Sequence, residues 1–459
     1  MRRLLALCAL LAPVGCEADP DPYAAADAAV PRRRPAPPRN RWTTGLVQPD
    51  NVGRQPELAR APDGTLGLAY FEVDGMPGDA CDADGGDAVR YGLRYAELLP
   101  GTDTWVTQAV ASSLTLGQPV GVDVAFEADG TPVLATLTGE ALRPPAVISA
   151  YCGGHDAGLY RRAPAGWALE TVVQSSDEAA TGDAASDFGE VVGQWPGLAL
   201  GPDGAGFLAY KDVHAGSIQR DDRIRADLEL AERGDGGWRA LPVDWGKGAG
   251  DFNAVAIAPD GRPLIAYHND VEDSAERGLW VAHVAADGAV TRARLYEGAA
   301  TDGPSVAVHP QTGEVLVAWY DANEGRPYLG RLAELGRLAD ADAWALEAIG
   351  DPRFDEGYHP RVAVDPQQGY VGVAYYRCVE ARLGLGDCEP QADAVVFAWF
   401  IEGEWEREVV ASGGSGLCGM DPGLAFDADG LPVVTYACSR AVGDGFELRM
   451  EWARREVLR

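Results

Sequence analysis

Positive charge is scarce in this sequence. Its 459 residues include 38 Lys and Arg against 70 Asp and Glu, which gives a formal net charge of −32. Nucleic-acid-binding proteins neutralise phosphates with positive charge, so the composition argues against that class. It also argues against a basic peripheral membrane domain. Beyond residues 4–15 there is no apolar run of about 18 residues, so we expect no membrane-spanning helix.

Several catalytic and metal-binding motifs are also missing. The chain has no C-x-x-C, H-E-x-x-H or G-x-S-x-G, so a zinc site and a nucleophilic serine both lack a sequence signature. Turn-forming and apolar residues, in contrast, are plentiful: 57 Gly, 31 Pro and 46% apolar residues. This composition favours a large folded core with many turns and argues against wholesale disorder.

The first sixteen residues have the pattern of a secretory signal. Arg2 and Arg3 precede a short apolar run over 4–14, which ends at Gly15-Cys16. A run this short with basic residues before it is typical of a signal peptide. The Gly-Cys end resembles the lipobox of bacterial lipoproteins, and this resemblance implies lipidation of Cys16. The alternative is ordinary cleavage nearby without a lipid.

The expected location follows from this segment. We expect an exported protein of the bacterial cell envelope, attached to a membrane only through an N-terminal lipid, or secreted if Cys16 carries none. Residues 17–41 are rich in Ala, Pro, Asp and Arg, with Tyr23 as their one aromatic residue. Such a segment cannot bury enough apolar surface to fold. We interpret it as a disordered tether between the lipidation site and a folded domain over 42–459.

A seven-fold repeat dominates that domain. Each copy has an apolar run, a tight turn and a second apolar run, as in PSVAVHPQTGEVLVAWYD over 304–321. The turn glycines are Gly64, Gly130, Gly204, Gly261, Gly313, Gly369 and Gly430. An alanine recurs before every turn: Ala59, Ala125, Ala199, Ala256, Ala307, Ala363 and Ala425. Seven equivalent small residues indicate a repeat architecture rather than an ordinary β-sandwich.

Each copy predicts four short strands. Asp-Gly turns join the first two, because Gly accepts positive φ and Asp hydrogen-bonds its own backbone. A third apolar run follows, and a fourth begins with a tryptophan in most copies, as at Trp105 and Trp405. Trp42 fits this series although it precedes the first full copy. We therefore predict an all-β fold, a seven-bladed β-propeller whose N-terminal strand completes the last blade.

The copies resemble a repeat of many secreted bacterial and archaeal proteins, which runs roughly P-S-I-A-V-D-x-x-G-x-P-H-I-S-Y-Y-D and ends D-L-K-Y-A. Pro304 to Asp321 and Gly92 to Ala96 match it best. The resemblance spans nearly all of 42–459. It implies the propeller architecture and leaves the activity open, since fold does not fix function.

Eight cysteines are present, and six remain after Cys8 and Cys16. An even number in an exported chain favours disulfides. In the propeller these six lie on one face of the ring, in neighbouring loops and strand ends. We predict the pairs Cys81–Cys152, Cys378–Cys388 and Cys418–Cys438.

The same face is predicted to carry a binding site. Polar residues end the second strands or begin the inner strands, and we selected Glu57, Glu72, Asp123, Asp212, His214, His268, Asp270, Asp321, His359 and Arg361. Such a mouth is acidic with one basic sector, and its oxygens suit sugar hydroxyls or Ca²⁺. Asp and Asn after a strand also cap turns, which is the structural alternative.

A calcium site is a separate hypothesis. The loop containing Asp82, Asp84 and Asp87 is rich in carboxylates but fails the EF-hand spacing. Two alternatives stay open for this loop: a calcium site with a looser arrangement of carboxylates, or an acidic loop that is simply exposed to solvent. No other cofactor is expected.

Two functions fit these features. The first is a non-catalytic, monomeric module that binds a glycan or protein on the loop-rich face. The alternative is a carbohydrate-active enzyme, a glycoside hydrolase or lyase related in fold to sialidases. An enzyme should show a deep pocket where carboxylates and an arginine converge with shifted pKa values. A binding face would be broad, shallow and aromatic.

Overall fold

The repeats form seven sheets of four antiparallel strands each, in the part of the chain that the structure describes. The structure is a computed structural model that describes residues 42–52, 55–75, 89–116, 121–138, 155–174, 191–213, 226–245, 248–269, 275–298, 303–380, 388, 393–401, 403–413, 417–442 and 445–456. The protein is a seven-bladed β-propeller, as predicted.

The first six blades run in chain order, each with its inner strand first. Their strands are β2 Glu57–Arg60, β3 Leu66–Gly75, β4 Val89–Leu98, β5 Trp105–Leu116; β6 Val122–Phe126, β7 Pro132–Leu137, β8 Ala157–Ala163, β9 Gly166–Val173; β10 Val191–Leu200, β11 Gly206–Val213, β12 Ala226–Gly234, β13 Gly237–Asp244; β14 Ala249–Ile257, β15 Pro263–Asn269, β16 Gly278–Val284, β17 Val290–Tyr296; β18 Ser305–Val308, β19 Val315–Asp321, β20 Arg326–Leu332, β21 Trp344–Ala348; and β22 Phe354–Val364, β23 Val371–Glu380, β24 Ala394–Ile401, β25 Glu404–Ser412.

The seventh blade closes the ring with both ends of the folded chain. It contains β26 Cys418–Phe426, β27 Pro432–Val442 and β28 Gly445–Arg455, with β1 Trp42–Gln48 as its outer strand. β1 pairs antiparallel with β28, and Trp42 lies opposite Arg455. The predicted closure is therefore confirmed.

The Asp-Gly turns form as the sequence predicts. At Gly64 the backbone has φ +91°, a conformation that glycine adopts at little cost. The Asp63 side chain accepts a hydrogen bond from the Thr65 backbone N–H at 2.9 Å. Asp129 and Thr131 repeat this contact at 2.9 Å in the second blade. The turn is thus stabilised by local contacts, which explains why it recurs in the sequence.

The core lies between successive blades. One apolar cluster combines Phe71 and Leu93 of the first blade with Val122 and Leu134 of the second. Nearer the axis, each inner strand contacts the inner strands of both neighbouring blades. The recurrent alanine lies in these strands, at half-buried or buried positions such as Ala425. A small side chain suits this position because the blades approach each other most closely there.

Two of the three predicted disulfides lie in the described residues, and both are confirmed. Cys378 pairs with Cys388, and Cys418 pairs with Cys438 across the strands β26 and β27. Cys81 and Cys152 lie outside the described residues. So do Cys16 and the whole of 1–41.

The helical content of the described residues is two short 3-10 helices, Leu335–Arg337 and Ala341–Ala343. Within this part of the chain, no helix has the length and hydropathy needed to cross a bilayer.

Closure of the ring should depend on Trp452. Its side chain is 2% exposed in the last blade and packs edge-on against Trp105 of the first, with ring centroids 6.2 Å apart. We expect Trp452→Ala to lower the free energy of unfolding by about 3–5 kcal/mol, the usual cost of removing a buried aromatic side chain. Trp245→Ala is the control, because Trp245 is 47% exposed. Urea denaturation measures both variants, and equal effects would contradict this role for Trp452.

Candidate functional site

A pocket of about 240 Å³ lies on the axis of the ring, toward the end where the inner strands begin. Every blade contributes to its wall. One representative from each blade, in chain order, is Glu57, Asp123, Trp195, Phe252, Ser305, Arg361 and Asp421. The pocket therefore combines carboxylates, an arginine and two aromatic rings in one enclosed space.

An unusual backbone conformation directs side chains into this pocket. Gln55, Trp195, Phe252, His359 and Asp421 line it, and all have φ between 47° and 64°. Positive φ is uncommon outside glycine and costs free energy, most of all for bulky residues. Of the non-glycine residues with positive φ in the described chain, only Asn51 lies elsewhere. Clustering of strained residues is a feature of functional sites.

β-bulges accompany this conformation. The register of the inner strand shifts around Trp195, Phe252, His359 and Asp421. A bulge re-aims a side chain by interrupting the alternation of the strand. At these four positions, the side chain therefore leaves the interface between blades and faces the axis.

Glycines two residues earlier allow the bulges to form. A Cβ on Gly357, which has φ +117°, would lie 2.5 Å from the backbone nitrogen of Pro327 in the preceding blade. A Cβ on Gly193 would lie 2.8 Å from the Ala157 Cα. Only glycine fits where the start of the inner strand crosses the neighbouring backbone so closely.

Ion pairs connect the blades around the pocket. The Arg361 guanidinium of the sixth blade forms a two-pronged salt bridge with the Glu57 carboxylate of the first. The His359 Nε2 lies 3.1 Å from an Asp421 carboxylate oxygen. Because 304 residues separate Glu57 from Arg361, this contact depends entirely on ring closure.

Asp123 is held by backbone rather than by a cation. Its two oxygens accept hydrogen bonds from the backbone N–H groups of Val124 and Leu198, at 2.7 and 2.6 Å. On the side of the first blade, Gln55 Oε1 accepts from the Gly121 N–H at 2.8 Å. These contacts fix the second blade to both of its neighbours.

The two neighbouring carboxyl groups have raised pKa values. Burial raises the pKa of Asp123 to about 8, and repulsion by Glu57 adds to the effect, while the two backbone N–H groups oppose it. Burial also raises the pKa of Glu57, and the adjacent Arg361 opposes this shift. The two groups interact, so they titrate as a pair that holds a proton near neutral pH.

The other side of the pocket is aromatic and contains an unpaired amide. The Trp195 and Phe252 rings lie 4.1 Å apart between centroids, at an angle of 40°. Next to Phe252, the Asn253 side chain has both its Nδ2 and its Oδ1 buried without a hydrogen-bond partner. Leaving such a group unsatisfied costs about 1–3 kcal/mol.

Four of the predicted site residues come together in this pocket: Glu57, Asp123, His359 and Arg361. The described residues predicted at the ends of second strands do not line it. Glu72 instead pairs with Arg94, and the Asp321 carboxylate accepts the Asn323 backbone N–H at 2.8 Å as a turn cap. Asp212 and His268 are buried. His214 and Asp270 lie outside the described residues.

Metal-binding geometry is confined to one place in the described chain. Cys418, Cys438 and Glu451 are the only group of three suitable side chains there, and the two sulfurs already form a disulfide. The predicted acidic loop with Asp82, Asp84 and Asp87 lies outside the described residues. The calcium hypothesis stays a prediction.

Comparison with known proteins gives structural neighbours only. No family model matches the sequence, and no curated protein matches it. A protein of unknown function from Dyadobacter fermentans has a TM-score of 0.45 at 15% identity, over 74% of this chain and 96% of its own. AofleA from Arthrobotrys oligospora has a TM-score of 0.44 at 14% identity, and the match covers 82% of this chain and 91% of AofleA. The K499G mutant of NanB sialidase from Streptococcus pneumoniae has a TM-score of 0.46 at 10% identity, and the match covers 90% of this chain and 70% of that protein.

Sequence reasoning missed Gln55, Trp195, Phe252, Asn253 and Asp421. A second motif marks these positions in five blades. It reads G-x-x-P or G-x-x-N and occupies residues 53–56, 193–196, 250–253, 357–360 and 419–422. Its third residue is the one that faces the pocket, in each case where positive φ is found.

The raised pKa of Asp123 predicts a pH dependence of stability. Between its ordinary pKa and about 8, the folded protein holds a proton that the unfolded chain has released. Folding stability attributable to this group therefore falls as pH rises through that window, with a slope of up to about 1.4 kcal/mol per pH unit. We expect Asp123→Asn to flatten the curve between pH 5 and 8 in urea denaturation. Parallel curves for the two proteins would contradict the assignment.

Proposed function

We propose that this protein is a saccharide-binding module that holds one sugar unit in the axial pocket. The unpaired amide of Asn253 beside the strained Trp195–Phe252 pair carries this proposal. Small-ligand sites combine apolar or aromatic walls with a few convergent polar groups. A volume of about 240 Å³ suits a small ligand or the terminal unit of a longer one.

The free polar atoms match sugar hydroxyls. An amide offers two donors and an acceptor, and a hydroxyl both donates and accepts. The Trp195 and Phe252 rings offer apolar surface on which the C–H face of a sugar ring can stack. Both amide atoms are buried in this conformation, so the Asn253 side chain must rotate toward the pocket before a ligand hydroxyl can satisfy it. That contact would recover the free energy lost by leaving the amide unpaired.

The carboxylates favour binding over catalysis. Those of Glu57, Asp123 and Asp421 all accept hydrogen bonds or form ion pairs that join one blade to another. A nucleophile or general base must reach the reacting atom, and these groups are held in place by the ring itself. The pocket also has a single arginine, Arg361, among its lining residues, and this arginine is already paired with Glu57.

Glycosidic cleavage is the second candidate, and one observation favours it. Burial raises the pKa of Asp123, and the Glu57 carboxyl group lies beside it; glycoside hydrolysis uses a pair of carboxyl groups of which one has a raised pKa. An enzyme was expected to bring carboxyl groups with shifted pKa values together with an arginine, and the pocket does so. A binding module was expected to have an aromatic face, and the Trp195–Phe252 wall provides one.

The envelope location belongs to the same proposal. A lipid on Cys16 and a tether over 17–41 would hold the propeller at a membrane surface, where it could capture a glycan or a glycosylated protein. No nucleic acid partner is proposed.

Binding can be tested with the full chain on a panel of immobilised polysaccharides, with Ca²⁺ and with EDTA. We expect retention on at least one of them, and about a tenfold or greater loss for Trp195→Gly, because stacking is removed. Glycine accepts the positive φ at this position without strain, so misfolding would not explain the loss. Trp245→Gly, at an exposed position away from the pocket lining, is the matched control.

Asn253→Ala should lose affinity and gain thermal stability, because the unsatisfied amide is gone. A loss of both would instead assign Asn253 a structural role. Retention that is insensitive to both pocket variants would place the binding surface elsewhere and overturn the proposal.

The same wells separate the two candidate functions. Retention without released fragments is the result expected of a binding module. If fragments appear, the acid assignment predicts that Asp123→Asn reduces release by about 100-fold or more while retention persists. Released sugars are quantified by mass spectrometry over time, and release that survives Asp123→Asn would remove Asp123 from any catalytic role.

A further inference from the structure

The far end of the channel has a second pocket. It has a volume of about 480 Å³ and is lined by the last residues of inner strands in the first four blades and by the turns that follow. Its wall is mostly Ala, Pro, Val, Leu, Ile and Phe, with Arg60 and Glu127 as the charged members. It takes no part in the saccharide proposal.

Arg60 breaks the repeat at this end. Every inner strand ends at the same repeat position, and six of the seven residues there are large and apolar: Phe126, Leu200, Ile257, Val308, Val364 and Phe426. The seventh is Arg60, at the end of β2. A local departure from an otherwise consistent pattern marks a candidate functional position.

Arg60 also lacks a partner. Each other arginine whose side chain the structure describes has an ion pair, a hydrogen bond or a ring contact, whereas Arg60 has none. Its Nε is buried and unsatisfied. In a chain with 70 acidic residues, such isolation is unexpected, because a carboxylate partner is easily supplied.

The nearby carboxylate of Glu127 is already in use. Both its oxygens bind the guanidinium of Arg233, at 3.0 and 3.3 Å, and Arg161 binds one of them as well. Two arginines thus share this glutamate, and it is not a partner of Arg60. The unmatched positive charge is left facing an apolar pocket.

We propose that this pocket binds an amphipathic carboxylate, with its carboxylate on Arg60 and its apolar body against the ends of the inner strands. Charge complementarity selects the headgroup, since a guanidinium binds a carboxylate through two parallel hydrogen bonds. The apolar residues that line the pocket with Arg60 in the first four blades favour an apolar body, because burying that surface is favourable.

The repeat itself supplies the decisive variant. Arg60→Val installs the residue found at Val308 and Val364, so the fold should accept it. We expect the thermal midpoint of Arg60→Val to equal or exceed that of the wild type, because a buried unsatisfied nitrogen is removed. A clear fall would show that Arg60 is a structural residue and overturn the proposal.

Binding is measured by isothermal calorimetry on the full chain, with octanoate as the probe below its micellar concentration. We expect octanoate to bind the wild type, and Arg60→Val to weaken binding about tenfold or more. Arg60→Lys, which keeps the charge without the planar fork, should fall between them. Acetate tests the headgroup alone, and octylammonium tests the apolar body with the opposite charge.

The assignment would be overturned if octanoate did not bind the wild type, if Arg60→Val bound it with equal affinity, or if octylammonium bound as tightly as octanoate. Equal affinity for acetate would also contradict it, because the apolar wall would then contribute nothing. Polysaccharide retention by Arg60→Val should stay at the wild-type level, so this test is independent of the saccharide proposal.

Discussion

Seven inner strands must pass around one narrow axis, and the rest of the structure follows from that crowding. Each inner strand contacts both of its neighbours. Alanine recurs where the blades converge, and glycine is required where the backbone of one blade crosses the next, as at Gly357 against Pro327. The bulges that follow these glycines turn side chains toward the axis. The pocket is therefore a consequence of how the inner strands meet as the ring closes on itself.

The fold could be predicted from the sequence because its determinants are local and repeated. A turn such as Asp63-Gly64 is stabilised by contacts within a few residues, so its glycine recurs in all seven copies and the Asp-Gly pair in five of them. Ring closure could be predicted from Trp42, because this residue continues the tryptophan series although it precedes the first copy of the repeat. The disulfides Cys378–Cys388 and Cys418–Cys438 followed once the repeat had placed their loops. Each of these inferences used spacing along the chain.

The site was only partly predictable, since spacing does not report what happens at a bulge. Strict alternation would place Trp195 and Phe252 between blades, but positive φ turns them toward the axis, and no property of tryptophan or phenylalanine announces that conformation. The Glu57–Arg361 pair joins the first and sixth blades, which are separated by the seventh blade and come within reach only when the ring is closed. The raised pKa of Asp123 arises from burial and from Glu57, neither of which a sequence displays. Glu57, Asp123, His359 and Arg361 were found because the sequence predicted them at the start of inner strands, although β22 begins at Phe354 and contains His359 and Arg361 within it. Glu72 and Asp321 were predicted from the same polar character, and they form an ion pair and a turn cap instead.

A repeat fold makes its own departures visible. At the position two residues before Glu57 and its equivalents, φ is positive in six blades, yet the residues are Gln55, Gly121, Trp195, Phe252, His359 and Asp421. One symmetric scaffold thereby presents an asymmetric set of groups to a single point. At the opposite end the pattern is inverted: six blades agree on a large apolar residue, and Arg60 alone differs. At the axial pocket, different side chains at equivalent positions form the site. At the opposite end, one charged side chain among apolar counterparts forms it. Because the seven blades have the same strand arrangement, the residues at one repeat position can be compared directly with one another. A residue that differs in character from its six counterparts is therefore not required by the fold, and a ligand or a neighbouring group must account for it.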